Sequence, residues 1–281
     1  RRDVETGLIT SLFEETFPPY LGRAMEYCGP DTNVEVAIGA KICARLAEEM
    51  GYDDDAAQHG KTCRELFSAA QRYLWNPKLG MYTPYSLADR APVDLLSVQG
   101  FGMLCDAEIP PFRKGKTLSL MLGDGFFWDK FPLSSVSGHD KTFTITRGEA
   151  YRFNESWSGM TWMLTNRDVI RALMCAGENG LASELADKTL LMSAGNFREF
   201  YDPHDGSGHG ARNYAWTAAC FITILIETVM GISYDFFHGG INVKPNVPKR
   251  LSGKKIAAMV HLPGGKIASV EVEGSFVRVT E

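Results

Sequence analysis

A helix, turn, helix and loop pattern that occurs twice is the feature that most restricts how this chain can fold. Apolar residues at helical spacing predict helices over residues 33–50 and 55–75, joined by a short break. The pattern returns over residues 161–175 and 180–194. Each unit ends in a loop with proline, glycine and aromatic residues, at 74–80 and 200–206. Repeated helical hairpins pack side by side around an axis, because one hairpin cannot bury its apolar face alone.

The number of predicted helices is small for a closed ring. We expect about seven or eight helices before Met230, fewer than a closed double ring of helical hairpins needs. A loop similar to the other two lies at residues 3–7, and no helices precede it. We therefore expect either the C-terminal part of a longer ring or an incomplete ring.

The sequence changes character after Tyr234. Alternating and β-branched residues, interrupted by proline and glycine, predict three or four strands there. We therefore expect two parts, a helical part over residues 1–234 and a small β appendage over residues 235–281.

Charge and hydropathy exclude several classes of function. The 281 residues carry a formal net charge of −5, from 34 acidic and 29 basic residues that are interspersed. No basic stripe therefore exists to bind nucleic acid or an anionic membrane surface. The most apolar stretch, residues 215–232, contains Thr217, Thr223 and Glu227, which indicates a buried helix instead of a membrane span.

The cysteines and histidines indicate neither a disulfide framework nor a metal site. The six cysteines form no C-x-x-C pair and have no histidine at ligand spacing. They are Cys28, Cys43, Cys63, Cys105, Cys175 and Cys220. We expect buried free thiols, which slightly favours a cytoplasmic location. We predict no metal or other cofactor, and the sequence leaves the oligomeric state open.

Residues 123–149 form a long segment that is rich in aromatic, glycine and serine residues and has no helical period. Loops of this length inside a compact domain are usually functional. We therefore expect this segment to have a functional role.

Two tryptophans lie five residues apart just before the predicted helix at 161–175. Trp157 and Trp162 flank Gly159 in the segment Trp-Ser-Gly-Met-Thr-Trp. Two indole rings placed this way can form a wall against which the apolar face of a sugar ring stacks. The alternative is that both tryptophans fill the core at the start of a helix.

A second segment places a carboxylate beside aromatic residues. Glu199 is followed by Phe-Tyr-Asp-Pro and then by a glycine-rich loop that lets the backbone approach a ligand. A carboxylate in such a place can deprotonate a water molecule. The alternative is a solvated surface glutamate at the end of a helix.

Taken together, these segments resemble those of the inverting (α/α)6-barrel glycoside hydrolases of the trehalase and processing α-glucosidase group, families 37 and 63, including mannosylglycerate-hydrolase-like domains. In that group, W-x-G-x-x-W precedes an inner helix, and E-x-Y-D-P followed by aromatic-x-W-[ST] supplies the base. The matching residues here are 157–162, 199–203 and 214–217. Residues 31–33 and 131–137 are similar to the group's D-L-N and G-I-P-S-V-S segments. The resemblance covers most of residues 30–250.

The resemblance implies an all-α fold, an incomplete (α/α)6 toroid, with the small β appendage. It also implies inverting hydrolysis of an α-linked glucoside or mannoside, either an oligosaccharide or a small glycoside, with Glu199 as general base and no cofactor. A second carboxyl group, about 6.5–9.5 Å from the Glu199 carboxylate, would protonate the leaving group. The residues then expected to contact the sugar are Tyr151, Trp157, Gly159, Trp162, Tyr201, Arg212, Asn213 and Trp216.

Two positions depart from the group's pattern. Ser158 stands where the group usually has arginine. The group's general acid is an aspartate in an E-S-G-x-D segment, whereas Glu5-Thr6-Gly7 here is followed by Leu8 and Ile9. We therefore expect the general acid to lie upstream of Arg1, or to be lost or relocated.

Three other functions remain open. A barrel without its acid would bind carbohydrate and not cleave it. A related helical barrel could be a polysaccharide lyase or a glycoside phosphorylase, although the Glu199 segment favours hydrolysis. A helical scaffold for protein partners is favoured if the tryptophans lie away from any cleft.

Overall fold

The computed structural model describes residues 1–11, 25–145, 153–235 and 238–280, and its main elements are six α-helices. The helices are α1 Pro30–Glu49, α2 Asp53–Tyr73, α3 Pro111–Leu122, α4 Met163–Cys175, α5 Asn179–Ser193 and α6 Ala215–Thr223. A π-helical segment, Ile224–Val229, continues α6. Short 3₁₀ helices lie at Val98–Cys105, Phe153–Ser158, Lys249–Leu251 and Pro263–Gly265. The two predicted hairpins are thus confirmed as α1–α2 and α4–α5.

Short strands also occur inside the helical part, so the expected all-α fold is not purely helical. The strands before α6 are β1 Tyr27–Cys28, β2 Trp75–Asn76, β3 Met81–Tyr82, β4 Tyr85–Ser86, β5 Ala91–Pro92, β6 Arg198–Tyr201 and β7 Gly208–Arg212. They form one three-stranded sheet in the order β1-β4-β5 and two hairpins, β2–β3 and β6–β7. Strands β2 to β7 occupy segments that follow α2 and α5, where proline and glycine prevent the helix from continuing, whereas β1 precedes α1.

The helices pack side by side in a row, and the largest apolar cluster lies between neighbouring helices. The 3₁₀ helix Val98–Cys105 lies between α1 and α4, while α6 packs on the other side of α4. The outer members, α2 and α5, pack against α1 and α4. The largest apolar cluster joins the Val98–Cys105 helix, α4, α5 and α6. These contacts fit stacked helical hairpins, but they do not show the toroid, expected to be incomplete, that the resemblance implies.

The C-terminal strands form two small sheets that pack next to the π-helical segment at the end of α6. Strands β8 Ile232–Asp235 and β9 Gly240–Val243 pair as a hairpin. Strands β10 Lys255–His261, β11 Ile267–Glu273 and β12 Phe276–Thr280 form an antiparallel sheet in that order. One apolar cluster joins both sheets to Met230. The proposed boundary at 234/235 would cut β8, so we place β8 with the appendage.

The thiols are less buried than the sequence suggested. All six cysteines are free, and Cys28 and Cys220 are buried as expected. Cys43 and Cys175 are exposed, while Cys63 and Cys105 are partly exposed. For these four the expectation of buried thiols is wrong. Across the described residues, no helix combines the length and the apolar character that crossing a membrane requires.

One buried side chain ties the long loop to the helices. Asn166 on α4 accepts a hydrogen bond from the Leu133 N–H at 3.0 Å and donates to the Pro132 carbonyl at 2.7 Å. It also donates to the Thr189 hydroxyl on α5 at 2.9 Å. Asn166 is fully buried, so all three groups depend on it to satisfy their hydrogen bonds.

We predict that Asn166→Ala lowers the free energy of unfolding by about 2–4 kcal/mol, because it leaves buried backbone groups without partners. Chemical denaturation measures the change. The matched control is Asn242→Ala on β9, where the side chain is exposed, and we expect a change within about 0.5 kcal/mol. Equal effects of the two substitutions would contradict this role for Asn166.

Candidate functional site

The hairpin β6–β7 carries the candidate base, and its pairing is irregular at that residue. Arg198 pairs with Arg212, while Phe200 pairs with His209. Two residues of β7, Gly210 and Ala211, therefore lie opposite the single residue Glu199. Such a β-bulge bends the strand and changes the direction in which neighbouring groups point.

The bulge directs a backbone donor at the Glu199 carboxylate. The Ala211 N–H donates to Glu199 Oε2 at 2.9 Å, and the Glu199 residue is 7% exposed. Gly210 has φ +67°, a conformation that side chains other than hydrogen rarely permit. A Cβ atom at Gly210 would lie 2.6 Å from Glu199 Oε2. The same carboxylate oxygen thus accepts the Ala211 N–H and lies where a side chain at position 210 would collide with it.

The two sequence segments that suggested a site lie against each other. Thr161 and Tyr201 form a β-bridge, with the Thr161 N–H donating at 2.8 Å and the Tyr201 N–H at 2.9 Å. Ser134 pairs with the other side of Thr161, and Ser97 pairs with Val136. Part of the 123–149 segment thus joins the tryptophan segment to the start of the Val98–Cys105 helix. The described part of that segment, 123–145, contains no helix or strand beyond such single bridges.

The aromatic residues of the two segments form a continuous stack. Trp157 and Trp162 lie face to face, with ring centroids 4.0 Å apart and planes 6° apart. The Trp162 ring is 5.2 Å from the Phe200 ring. Because Phe200 follows Glu199, the stack connects the first tryptophan to the strand that carries the carboxylate. Trp157 and Trp162 are only 6% and 2% exposed, so at most the edge of Trp157 can contact a ligand.

Two residues expected to contact a sugar have structural positions instead. Tyr201 is fully buried, and its hydroxyl donates to the Asn196 carbonyl at 2.7 Å and accepts from the Arg198 N–H at 3.0 Å. Burial raises the pKa of Tyr201 to about 12. Gly159 is also buried, and a Cβ atom there would lie 2.4 Å from the Thr144 carbonyl oxygen. Tyr201 therefore offers no ring face to a ligand, and Gly159 is required by close backbone packing.

The remaining predicted residues lie at the end of the hairpin. Arg212 and Asn213 are exposed, and Asn213 has φ +51° where β7 turns into α6. Trp216, in the first turn of α6, is 42% exposed and its ring lies 6.3 Å from that of Tyr214. These three can contact a ligand near Glu199. Tyr151, the last predicted contact, lies outside the described residues.

A cleft lined by both charged and apolar groups was not predicted from the sequence. It has a volume of about 430 Å³ and lies between α1, the Val98–Cys105 helix and α4. We call it the central cleft; its polar and aromatic lining includes Asp31, Glu35, Gln99, Trp157, Arg167, Asp168 and Arg171. Trp157 connects this cleft to the aromatic stack. Helical spacing alone could have suggested Asp168 and Arg171, because they are one turn apart on α4.

Ion pairs join several of the charged residues that line the central cleft. Arg171 pairs with Glu35 on α1, and Arg167 donates to Asp168 through Nε at 3.1 Å. Burial raises the pKa of Asp168, although the adjacent Arg167 guanidinium opposes that effect. The cleft therefore offers both hydrogen-bond donors and acceptors to a polyhydroxylated ligand.

Sequence comparison places this arrangement in a known family. Residues 11–217 match the profile of the mannosylglycerate hydrolase MGH1-like glycoside hydrolase domain. The mannosylglycerate hydrolase of Rubrobacter radiotolerans is 24% identical over 212 residues, which are 73% of this chain and 46% of that protein. The mannosylglycerate hydrolase of Thermus thermophilus is 29% identical over 147 residues, covering 52% of this chain and 33% of that protein. The chain thus spans less than half the length of these relatives.

Solved structures share the fold. A family 63 mannosylglycerate hydrolase from Thermus thermophilus, solved in complex with glucose, has a TM-score of 0.61 at 22% identity, covering 71% of this chain and 48% of its own. The neutral trehalase of Saccharomyces cerevisiae has a TM-score of 0.57 at 16% identity, covering 73% of this chain and 38% of its own. A protein described as a sialidase has a TM-score of 0.74 at 15% identity, covering 100% of this chain and 27% of its own.

At these identities the structural likenesses show the fold alone, whereas the family profile covers the segments that build the hairpin, the aromatic stack and the central cleft. The chain therefore belongs to the mannosylglycerate hydrolase MGH1-like glycoside hydrolase domain family.

Proposed function

We propose that this chain is part of an inverting glycoside hydrolase in which Glu199 is the general base. The observation that carries the proposal is the position of the carboxylate, largely buried and fixed by the Ala211 N–H within the bulge. A general base must hold a water molecule in line with the bond that breaks, so its carboxylate must not rotate freely. A hydrogen bond from a backbone N–H also suits the ionised form, in which the group accepts a proton.

The central cleft is proposed to hold the sugar. Trp157 forms part of its wall and stacks on Trp162, whose ring packs beside Phe200, the residue that follows Glu199. Asp31, Gln99 and Arg167 supply both hydrogen-bond donors and hydrogen-bond acceptors for the sugar hydroxyls. Arg212, exposed at the end of the hairpin, and Trp216, exposed in the first turn of α6, are proposed to contact the part of the substrate that leaves.

The substrate is proposed to be an α-linked glucoside or mannoside of small size. The relatives are named mannosylglycerate hydrolases, and structures of one contain glucose or, with Tris, D-glycerate. The central cleft, at about 430 Å³, is in the range of sites for small ligands. A cleft of this size supports a mono- or disaccharide-sized ligand and not a long polymer.

The mechanism also needs a carboxyl group that protonates the leaving oxygen. Among the described residues, Asp168 has a pKa raised by burial, but Arg167 and Arg171 lie close enough to stabilise its ionised form. We therefore propose that Asp168 positions Arg167, and that the general acid comes from the part of the relatives' length that this chain does not span.

We predict that Glu199→Gln in the full-length protein lowers kcat on α-mannosides and α-glucosides by about 10²–10⁴-fold, because the amide cannot accept the proton of water. The glutamine can still accept the Ala211 N–H, so the thermal midpoint should stay close to that of the unmodified protein. Steady-state hydrolysis of mannosylglycerate and trehalose, with circular dichroism of both proteins, measures the two effects. The matched control is Glu273→Gln on β11, an exposed position.

The main alternative, a barrel that binds carbohydrate without cleaving it, gives a different result. The unmodified full-length protein would then bind the same glycosides by calorimetry but show no turnover. A folded Glu199→Gln protein that retains full activity would reject Glu199 as the base and leave the family assignment intact.

We also predict that Gly210→Ala lowers kcat on the order of 10²-fold, because the added methyl group displaces the carboxylate. The strained backbone should lower the free energy of unfolding by about 1–3 kcal/mol. Kinetics at a temperature well below unfolding separates the two effects. Gly180→Ala on α5 is the matched control, since a Cβ atom there meets nothing within 4 Å. Unchanged kcat in Gly210→Ala would show that the bulge does not position Glu199 for catalysis.

A further inference from the structure

The long aromatic and glycine-rich segment after α3 lines a pocket that the proposed hydrolysis does not use. The pocket has a volume of about 290 Å³ and lies between residues 124–143 of that segment and the turn of the β6–β7 hairpin at Pro203 and His204. We call it the loop pocket. It shares no lining residue with the central cleft. Its volume is near the lower end of the range for small-ligand sites, so it can hold one small molecule.

Backbone contacts hold the walls of the loop pocket together. The Phe131 N–H donates to the Pro203 carbonyl at 3.0 Å, which joins the segment to the hairpin. The Gly138 N–H donates to the Phe126 carbonyl at 2.8 Å. A Cβ atom at Gly138 would lie 2.4 Å from the Gly125 carbonyl oxygen, so the two parts of the segment pack as closely as backbones can. The loop pocket is therefore formed before any ligand binds.

A histidine on the hairpin is fixed against the segment. His204 Nδ1 lies 2.6 Å from Asp129 Oδ2, and the His204 backbone N–H donates to Asp202 Oδ1 at 2.9 Å. When Nδ1 donates to the carboxylate of a neutral ring, Nε2 is left as an acceptor. Within the part of the chain that the structure describes, His204 Nε2 and the Asp124 carboxylate have no hydrogen-bond partner. Both groups can therefore bind the hydroxyls of a ligand.

Three aromatic rings form the apolar part of the loop pocket. Phe126, Trp128 and Phe143 all line it, and each is only partly buried. The Phe143 ring lies edge-on to His204, with ring centroids 6.1 Å apart. Aromatic rings beside fixed hydrogen-bonding groups suit a sugar, because one face of a pyranose ring is apolar while its hydroxyls need polar partners.

The charges of the loop pocket exclude anionic ligands. Asp124 and Asp129 both line it, and among its described lining residues only His204 can carry a positive charge. A phosphate or carboxylate ligand would be repelled by the two aspartates. A quaternary ammonium ion suits the charge and the aromatic rings, but it has no N–H group to donate to His204 Nε2. A neutral polyhydroxylated ligand satisfies both the rings and the polar groups.

We propose that the loop pocket is a second sugar-binding site, which takes one neutral monosaccharide unit. Trp128 stacks on the apolar face of the sugar, while His204 and Asp124 bind its hydroxyls. The proposal does not depend on the proposed hydrolysis, because no residue of the central cleft takes part. The site nevertheless reaches the tryptophan segment, since a Cβ atom at Gly159 would lie 3.1 Å from the Phe143 ring. A sugar would thus be held beside the hairpin that carries Glu199.

The first test is a titration that reports each site separately. In the full-length protein labelled with ¹⁵N-tryptophan, single substitutions assign the indole N–H signals of interest. Added D-mannose should shift the Trp128 signal saturably, with a dissociation constant in the millimolar range. Trp75, at the end of α2, should not respond. Trp157 and Trp216 report the proposed substrate site independently. Absence of a saturable shift at Trp128 would overturn the second site, whatever Trp157 and Trp216 show.

The second test compares two histidines that each pair with an aspartate. His204→Ala should weaken D-mannose binding at the Trp128 signal roughly fivefold, because one hydrogen bond to the sugar is lost. His238→Ala is the matched control, since His238 Nδ1 lies 3.0 Å from Asp235 Oδ2 on the C-terminal hairpin. Its affinity for mannose should not change. Equal affinities in the two variants would contradict the role of His204.

Two further probes test the class of ligand. Choline and inorganic phosphate are titrated in the same way, with the Trp128 signal as the readout. Neither should bind as tightly as D-mannose. Tighter binding of choline would make the loop pocket a cation site, and saturable binding of phosphate would contradict the charge argument. Either result would overturn the assignment to a neutral sugar.

Discussion

The hydrogen bond from the Ala211 N–H to Glu199 Oε2 fixes the group on which the proposed chemistry depends. It exists because β7 has one residue more than β6 at this point, which turns a backbone donor towards the carboxylate. The extra residue requires a glycine at 210, where both the positive φ and the short distance to the carboxylate exclude a side chain. The proposed catalytic position is thus built mainly from backbone geometry, with few specific side chains.

The hairpin is held in turn by the tryptophan segment. Thr161 pairs with Tyr201 through two backbone hydrogen bonds, and the stacked indoles pack against Phe200. Asn166, one turn further along α4, holds the loop at Pro132 and Leu133 against the same helix. The carboxylate, the aromatic stack and the central cleft therefore share one rigid support, which is a condition for positioning a water molecule and a sugar together.

Periodicity was sufficient to predict the two helical hairpins and the C-terminal strands, because these elements follow from patterns repeated over many residues. Periodicity was not sufficient to predict the geometry of the candidate site. The tryptophan and Glu199 segments were singled out from the sequence, but their contact and the bulge depend on a register that no local pattern encodes. Tyr201 looked like a sugar platform, yet its hydroxyl completes hydrogen bonds of the hairpin. The strands β1 to β5 were missed because strands of two residues have no detectable alternation, and β6 and β7 were missed because they lie in a loop rich in glycine.

Tertiary contacts also bring together residues whose proximity the sequence does not reveal. Asp168 and Arg171 become parts of a cleft only because α1 and the Val98–Cys105 helix pack against α4. The same helix α4 thus carries both the charged residues of this cleft and Asn166, which holds the loop at Leu133.

The most direct test of Glu199 as an inverting base is the configuration of the sugar first released from an α-linked substrate. Proton magnetic resonance during hydrolysis of an α-mannoside by the full-length protein follows the anomeric signals before they equilibrate. Water activated on the face opposite the leaving group gives the β-anomer first, which is the result expected here. Initial release of the α-anomer would mean a retaining reaction with a covalent intermediate, and would contradict the role of Glu199 as a base that activates water.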